Sequence, residues 1–280
     1  MIGLCTDSNA QLPPSLVERY RIEVVPLTVV VDAVEHLEGE DLDADGFFSM
    51  FERAGAGSPP TVTTAAPSPG RFAEAYGRLA AAGATEILSV HLGSAISATC
   101  NSARLAAGGA PVPVRLVDTG TASFAVGCAV WEAGEVASRG GDLEEAAHAA
   151  TRVASACGNV FVVGALDLAR AGGRLAADAA DPLTVLALED GAMRPVASFA
   201  AASDAAQAMA DRIAAEGAGR RLRVGVGHSD ETSASIAASL ASLLADDPAG
   251  HELVRYRVGP SVAAHTGPGT AGAVFHPLEP

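Results

Sequence analysis

Three stretches of this 280-residue chain place hydroxyls, in two of them beside a carboxylate, directly after a short apolar run. Cys5-Thr6-Asp7-Ser8 follows Ile2–Cys5. Leu92-Gly93-Ser94-Ala95-Ile96-Ser97-Ala98-Thr99 follows Glu86–Leu92, and Asp118-Thr119-Gly120-Thr121 follows Val112–Val117. Hydroxyls next to the free N–H groups of a helix N-terminus suit a carboxylate or a phosphate. Any one of these residues alone is an ordinary helix cap; three such turns in one sheet point to a common cleft. Thr63 and Thr64 stand in a long Gly-, Pro- and Ser-rich stretch over residues 54–67, read as a loop, and long loops in compact domains often carry function. His265 opens the Gly-Pro turn His265-Thr266-Gly267-Pro268-Gly269-Thr270, where an imidazole can donate to an anion or act as a base. Ser97 as nucleophile, His265 as base and Asp7 or Asp118 as orienter would make a serine hydrolase, although the chain has no GxSxG elbow.

The elements that must position these residues follow from periodicity. Pro13-Pro14 opens a short helix ending near Tyr20, and Ile22–Val31 is a β-branched strand with an edge or bulge at Pro26. Phe47, Phe48 and Phe51 share a helix face. Ser68-Pro69 starts another helix, with Phe72, Tyr76 and Leu79 at i, i+4 and i+7. Further helices are expected from about Ser97, over 122–138 and over 142–156. Strand–helix alternation of this kind predicts a parallel sheet flanked by helices. The second half carries strand candidates at 160–163, 183–188, 193–199, 222–226 and 253–258, with helices at 204–216 and 232–245. Glu189-Asp190-Gly191 gives a hairpin signal. This half is expected to be α+β with a mixed or antiparallel sheet. The domains are expected to be 1–157 and 158–280.

Composition removes several function classes. All 18 basic side chains are Arg, and there is no Lys. A Schiff-base lysine, a P-loop and a protein-kinase site in their usual forms are therefore excluded. The net charge of −15 argues against nucleic acid and against an anionic membrane surface. Cys5, Cys100, Cys128 and Cys157 form no CxxC, His148, His251 and His276 have no partner at metal spacing, and His91 reads as a core residue inside a strand. Gly225-Val226-Gly227-His228 lacks the rest of a dinucleotide fingerprint. No cofactor or metal is expected. With no signal peptide at MIGLCTDSNA and no long apolar run, the expected compartment is the cytoplasm.

TDSNAQLP at Thr6–Pro13, TAAPSPGRF at Thr64–Phe72, SAISATCNSA at Ser94–Ala103, Val117-Asp118-Thr119, Ala171-Gly172-Gly173-Arg174-Leu175, Asp190-Gly191 and the terminal HTGPGTAG, in this order, resemble the DegV family across essentially the whole chain. The resemblance implies a two-domain α/β protein that holds a long-chain fatty acid such as palmitate, stearate or oleate in a buried tunnel between the domains. It implies a non-enzymatic carrier that presents the acid to a separate fatty acid kinase subunit for acyl-phosphate formation, a step of phospholipid metabolism. Matched position by position, Thr64, Ser97 and His265 would bind the carboxylate, with Thr63, Ser94, Asp7, Ser8, Thr99 and Gly267 as head-group neighbours. A carrier of another acidic lipid is the alternative on the same fold. Ala65, Ala66 and Ala98 replace family-typical residues, and Ala200 stands where some members carry an Arg.

Overall fold

The computed structural model describes residues 1–54, 58–164, 184–189, 192–199 and 201–278. The Ala171–Leu175 stretch, the Asp190-Gly191 turn and Ala200 lie outside the described residues. The strands are β1 (Ile2–Asp7), β2 (Glu23–Val25), β3 (Thr28–Val31), β4 (Val34–Leu37), β5 (Val62–Ala65), β6 (Glu86–His91), β7 (Val114–Asp118), β8 (Gly158–Val162), β9 (Thr184–Glu189), β10 (Ala192–Ser198), β11 (Leu222–His228), β12 (Glu252–Arg257) and β13 (Ala271–Pro277). The helices are α1 (Pro14–Tyr20), α2 (Ala44–Ala54), α3 (Pro69–Ala81), α4 (Thr99–Ala107), α5 (Phe124–Ser138), α6 (Leu143–Ala156), α7 (Ala202–Gly217), α8 (Glu231–Ala245) and α9 (Pro260–Thr266).

Two compact units emerge. One comprises Met1–Asp41 and Thr63–Ser155, the other Leu42–Val62 and Ala156–Pro280. A single cut after residue 157 omits the excursion of Leu42–Val62, which packs with the later residues. Part of the reason is local: Asp45 at the start of α2 accepts a hydrogen bond from Arg257 of β12 at 2.5 Å.

In the first unit, β2-β1-β6-β7 form a parallel sheet. Its central strands are buried on both faces because helices cover both. Helix α3 starts as its sequence demands: Ser68 accepts from the Arg71 N–H, and Pro69 occupies the first turn, where its missing N–H costs nothing. Its Phe72, Ala75, Tyr76 and Leu79 are buried against Cys5, Val25 and Ile87. Helix α5 is apolar nearly all round and correspondingly buried from Phe124 to Trp131. The expected strand Ile22–Val31 is two strands in two sheets. Pro26 lies between β2, which joins the parallel sheet, and β3, which pairs antiparallel with β4, since proline cannot donate to the ladder.

The second unit is a six-stranded mixed sheet ordered β10-β9-β8-β13-β11-β12. Only β11 and β12 run parallel; the other neighbours are antiparallel. Helices α7 and α8 bury Met209, Ile213, Ile236 and Leu240 against it. Helix α8 is opened by a capping box in which Asp230 accepts from Ser233 N–H and the Ser233 hydroxyl accepts from the Asp230 N–H. Among the described residues no helix is long and apolar enough to cross a membrane.

Candidate functional site

Because β1, β6 and β7 are parallel neighbours, their carboxyl ends share one edge, and each ends in one of the hydroxyl-rich turns. Asp7 closes β1 and is fully buried. Its Oδ1 accepts from the Asn9 N–H at 3.2 Å, and its Oδ2 accepts from the Leu92 N–H at 3.2 Å. The same Oδ2 lies 2.9 Å from Nδ1 of His91, which must be the donor because an ionised carboxylate only accepts. Ser8 accepts from the Leu27 N–H and donates to Glu38, itself buried, at 2.5 Å.

The β6–α4 turn is wound around Gly93, whose carbonyl accepts from the N–H groups of Ile96 and Ser97. Ser97 is half-buried. Its Oγ accepts from the Thr99 N–H at 3.3 Å and meets the Thr99 hydroxyl at 2.9 Å. Ser97 therefore does the capping of α4 that Ala98, the formal cap, cannot. If the fully buried Thr99 donates its hydroxyl inward to Ser97, the Ser97 proton is left to donate to a ligand. Ser94 is exposed, and its N–H donates to Asp118 at 3.1 Å, as does the N–H of Gly120. Burial alone would raise the Asp118 carboxyl; the hydrogen bonds from Ser94 and Gly120, with the nearby Arg104, outweigh it and leave the group below its ordinary value.

Thr63 and Thr64 belong to strand β5, in the sheet β4-β3-β5, and not to a loop. Thr63 is exposed and Thr64 half-buried. The first unit thus brings Asp7, Ser8, Ser94, Ser97 and Thr99 to one sheet edge and sets Thr63 and Thr64 on a neighbouring small sheet.

His265 and Gly267 belong to the second unit. His265 is half-buried in the last turn of α9, where a cation is favourable, and not in the irregular turn expected. Gly267 ends the helix at φ +73, with its N–H on the Ala263 carbonyl at 2.7 Å. The following turn is clamped to the end of β11: Asp230 accepts from Gly269 N–H and Ser229 from Thr270 N–H, while Thr270 donates its hydroxyl to the Gly267 carbonyl. Gly269 lies at φ +81, and a Cβ there would sit 2.9 Å from the Gly164 Cα, so glycine is required on both counts.

A residue set missed by sequence reasoning lies behind the first-unit edge. His91 Nε2 meets Ser89 Oγ at 2.6 Å, and Ser89 Oγ meets Tyr76 OH at 2.9 Å. With Asp7 this has the connectivity of a Ser-His-Asp triad, yet all four side chains are fully buried. No substrate reaches Ser89 there, and a nucleophile needs that access. The signal available was the i, i+2 spacing of Ser89 and His91, which puts both on one face of β6. Both Asp7 oxygens are already engaged, by His91, Leu92 and Asn9, whereas Asp118, the other candidate orienter, sits at the turn and accepts from Ser94 and Gly120. Among the described residues no group of His, Cys, Asp and Glu could hold a metal ion.

The fold and these turns define an α/β protein of two compact units, with polar turns gathered at the carboxyl ends of parallel strands, where open α/β sheets take their ligands. The profile of the DegV family, described as a family of uncharacterised proteins, matches residues 1–278, so the chain belongs to the DegV family. A DegV domain-containing protein of Streptomyces coelicolor is 36% identical, the match covering 98% of this chain and 97% of that one. A DegV family protein from Thermus thermophilus, whose structure is described as showing fatty acid binding, superposes with a TM-score of 0.85 at 29% identity over 99% of both chains. A DegV lipid binding protein from Thermotoga maritima gives 0.87 at 26% identity, also over 99% of both.

Proposed function

We propose that this chain binds a long-chain fatty acid and that Thr64 and Ser97 of the first unit, with His265 of the second, hold its carboxylate. The observation that carries the reading is the whole-length likeness to the Thermus protein, described as binding fatty acid. The chemistry suits it: two hydroxyls and an imidazole can all donate to one carboxylate, each such bond contributing about 1.5–3 kcal/mol. The acyl chain adds about 0.8 kcal/mol per buried CH₂, less the cost of ordering it. Asp7 carries a carboxylate that only accepts, so within this reading it supports the turns and does not touch the ligand. Thr63, Ser94, Ser8, Thr99 and Gly267 are the neighbours of the head group.

The protein acts as a cytoplasmic carrier and not as an enzyme, presenting palmitate, stearate or oleate to a separate kinase subunit that forms the acyl phosphate. With no lysine, this chain has no P-loop of its own, which fits phosphoryl chemistry supplied from elsewhere.

Native mass spectrometry of the purified protein tests the binding. An adduct of fatty-acid mass is expected, and a stripped protein should reload with palmitate or oleate. A ligand-free protein that takes up neither overturns the proposal. The carrier role is tested by adding a fatty acid kinase subunit and ATP to the loaded protein and trapping acyl phosphate with hydroxylamine. Hydroxamate formed equally well without this protein removes the carrier role.

A further inference from the structure

We propose that His91 is a positioning residue for head-group binding, the common support of the three strand-end turns and of the helix that Ser97 caps. The inference rests on the fatty-acid reading, which makes Ser97 a ligand.

The geometry closes around one ring. On one side, His91 Nδ1 donates to Asp7 Oδ2 at 2.9 Å, and the oxygen that receives it also receives the N–H of Leu92 at 3.2 Å. The first residue of the Ser97 turn is therefore fixed to the same atom as the ring. Asp7 Oδ1 accepts from Asn9 at 3.2 Å and so ties in the β1 turn. On the other side, His91 Nε2 meets Ser89 Oγ, Ser89 Oγ meets Tyr76 OH, and Tyr76 OH donates to the carbonyl of Ala103 at 3.4 Å. Ala103 is in α4, the helix whose first residue, Thr99, is hydrogen-bonded to Ser97. The approach to Ser97 and the helix leaving it are thus both referred to one imidazole. The backbone of His91 adds the third turn: its carbonyl accepts from the Thr119 N–H at 3.1 Å and from the Thr119 hydroxyl at 2.8 Å.

Phe72 packs its ring against the imidazole at 5.0 Å between centroids and 80° between planes, which fixes the ring plane but provides no hydrogen bond. The ring carries two nitrogens on opposite sides, so it can bridge β1 to the Ser89–Tyr76 pair, and an aliphatic residue of equal volume cannot. Full burial of Asp7, Ser89, His91 and Tyr76 excludes contact with substrate and leaves support as the role. A polar chain of this kind holds one arrangement only while every member is satisfied, because a partner left unmade in the interior is costly.

The test compares oleate affinity of the full chain with His91→Leu, His91→Asn and Ser89→Ala, with thermal melting run alongside. His91→Leu should weaken oleate binding about tenfold or more, the equivalent of losing one charge-assisted hydrogen bond to the carboxylate. His91→Asn, which keeps a donor toward Asp7, should recover part of that loss, and Ser89→Ala should fall between it and wild type. If His91→Leu does not fold, proton NMR of the wild-type protein decides: the buried Nδ1–H signal of His91 should shift when oleate is added, which a bystander in the core would not show. Variants within about twofold of wild type, or a signal that oleate leaves unmoved, overturn the positioning role while the fatty-acid reading stands. A wild-type protein that takes up no fatty acid at all overturns that reading, and this inference with it.

Discussion

Gly93 and Gly120 meet backbone to backbone: a Cβ on Gly93 would fall 2.7 Å from the carbonyl carbon of Gly120 and 2.9 Å from its Cα. The Gly93 N–H donates to the carbonyl of Thr121, next along, at 2.8 Å. The requirement at Gly93 is steric, since what it meets is backbone that cannot swing aside. Gly93→Ala should destabilise the chain by about 1–3 kcal/mol, the usual cost of overpacking, and should weaken fatty-acid uptake by parting two of the three turns. Urea unfolding at an unchanged midpoint would show that the turns separate freely.

The three proposed carboxylate ligands should behave alike. Thr64→Ala, Ser97→Ala and His265→Ala should each weaken oleate binding roughly tenfold to a hundredfold, with little change in melting temperature for Thr64→Ala and His265→Ala, while Ser97→Ala, which also loses the cap of α4, should lower it by about 2–4 °C. Titration calorimetry on stripped protein reads the loss. In parallel, a panel of p-nitrophenyl esters should show no turnover. Hydrolysis abolished by Ser97→Ala would restore the hydrolase alternative.

His228 should make stability depend on pH. Burial, then Arg257 and Arg255, push its imidazole below the ordinary value of 6.5, against the opposite pull of Asp230 and Glu231. Arg257 donates to His228 Nε2 at 3.0 Å, so that nitrogen must be unprotonated in the folded state. A folded-state value below the unfolded one means that the unfolded chain takes up the proton first. The contribution is therefore whole above about pH 6.5 and is lost as the pH falls toward the lowered folded value. His228→Gln should flatten the drop in denaturation midpoint between neutral and mildly acidic buffer. An equal drop in both proteins counts against it.

Thiol chemistry should be confined to one position. Cys5, Cys100 and Cys128 are buried, with Cys157 half-buried. Burial pushes the Cys5 thiol up to about 12, even though Ser89 hydrogen-bonds it, and burial likewise raises Cys100. A protonated, enclosed thiol is a poor nucleophile. Iodoacetamide should label Cys157 first in the native protein, with Cys5 labelled only on unfolding. Peptide mass mapping that finds Cys5 alkylated under native conditions would falsify this.

Where a segment makes its own decisions, periodicity revealed it. Helix α3 has its cap, its proline and its Phe72-Tyr76-Leu79 face in adjacent residues, and it forms where expected. Strand β13 escaped notice although it is a central strand of its sheet. Its Ala271, Gly272 and Ala273 have little strand propensity, and it is stabilised by β8 on one side and β11 on the other. Gly272 is needed there, since a Cβ would come 2.3 Å from the Val160 carbonyl oxygen. In β5 Val62, Thr63 and Thr64 favour a strand, but the Gly, Pro and Ser residues around them give the signal of a loop, and α9 is too short between Gly259 and Gly267 to show a period. At the site, the spacing of Ser97 and Thr99 exposed a turn, but nothing local could pair His91 with Asp7, 84 residues away in the chain. Only the parallel pairing of β1 and β6 brings them together.

The excursion of Leu42–Val62 into the second unit means that the chain changes allegiance three times, after residues 41, 62 and 155. On a ribosome, α2 emerges long before β12, so Asp45 must wait for Arg257, a partner not yet synthesised. The first unit has its own residues in hand by Ser155, whereas the second cannot close until the last strand is released. Proteolytic dissection should meet the same dependence: cleavage near residue 156 leaves Leu42–Val62 of the second unit on the N-terminal fragment, and the C-terminal fragment, deprived of it, is not expected to behave as a self-sufficient domain.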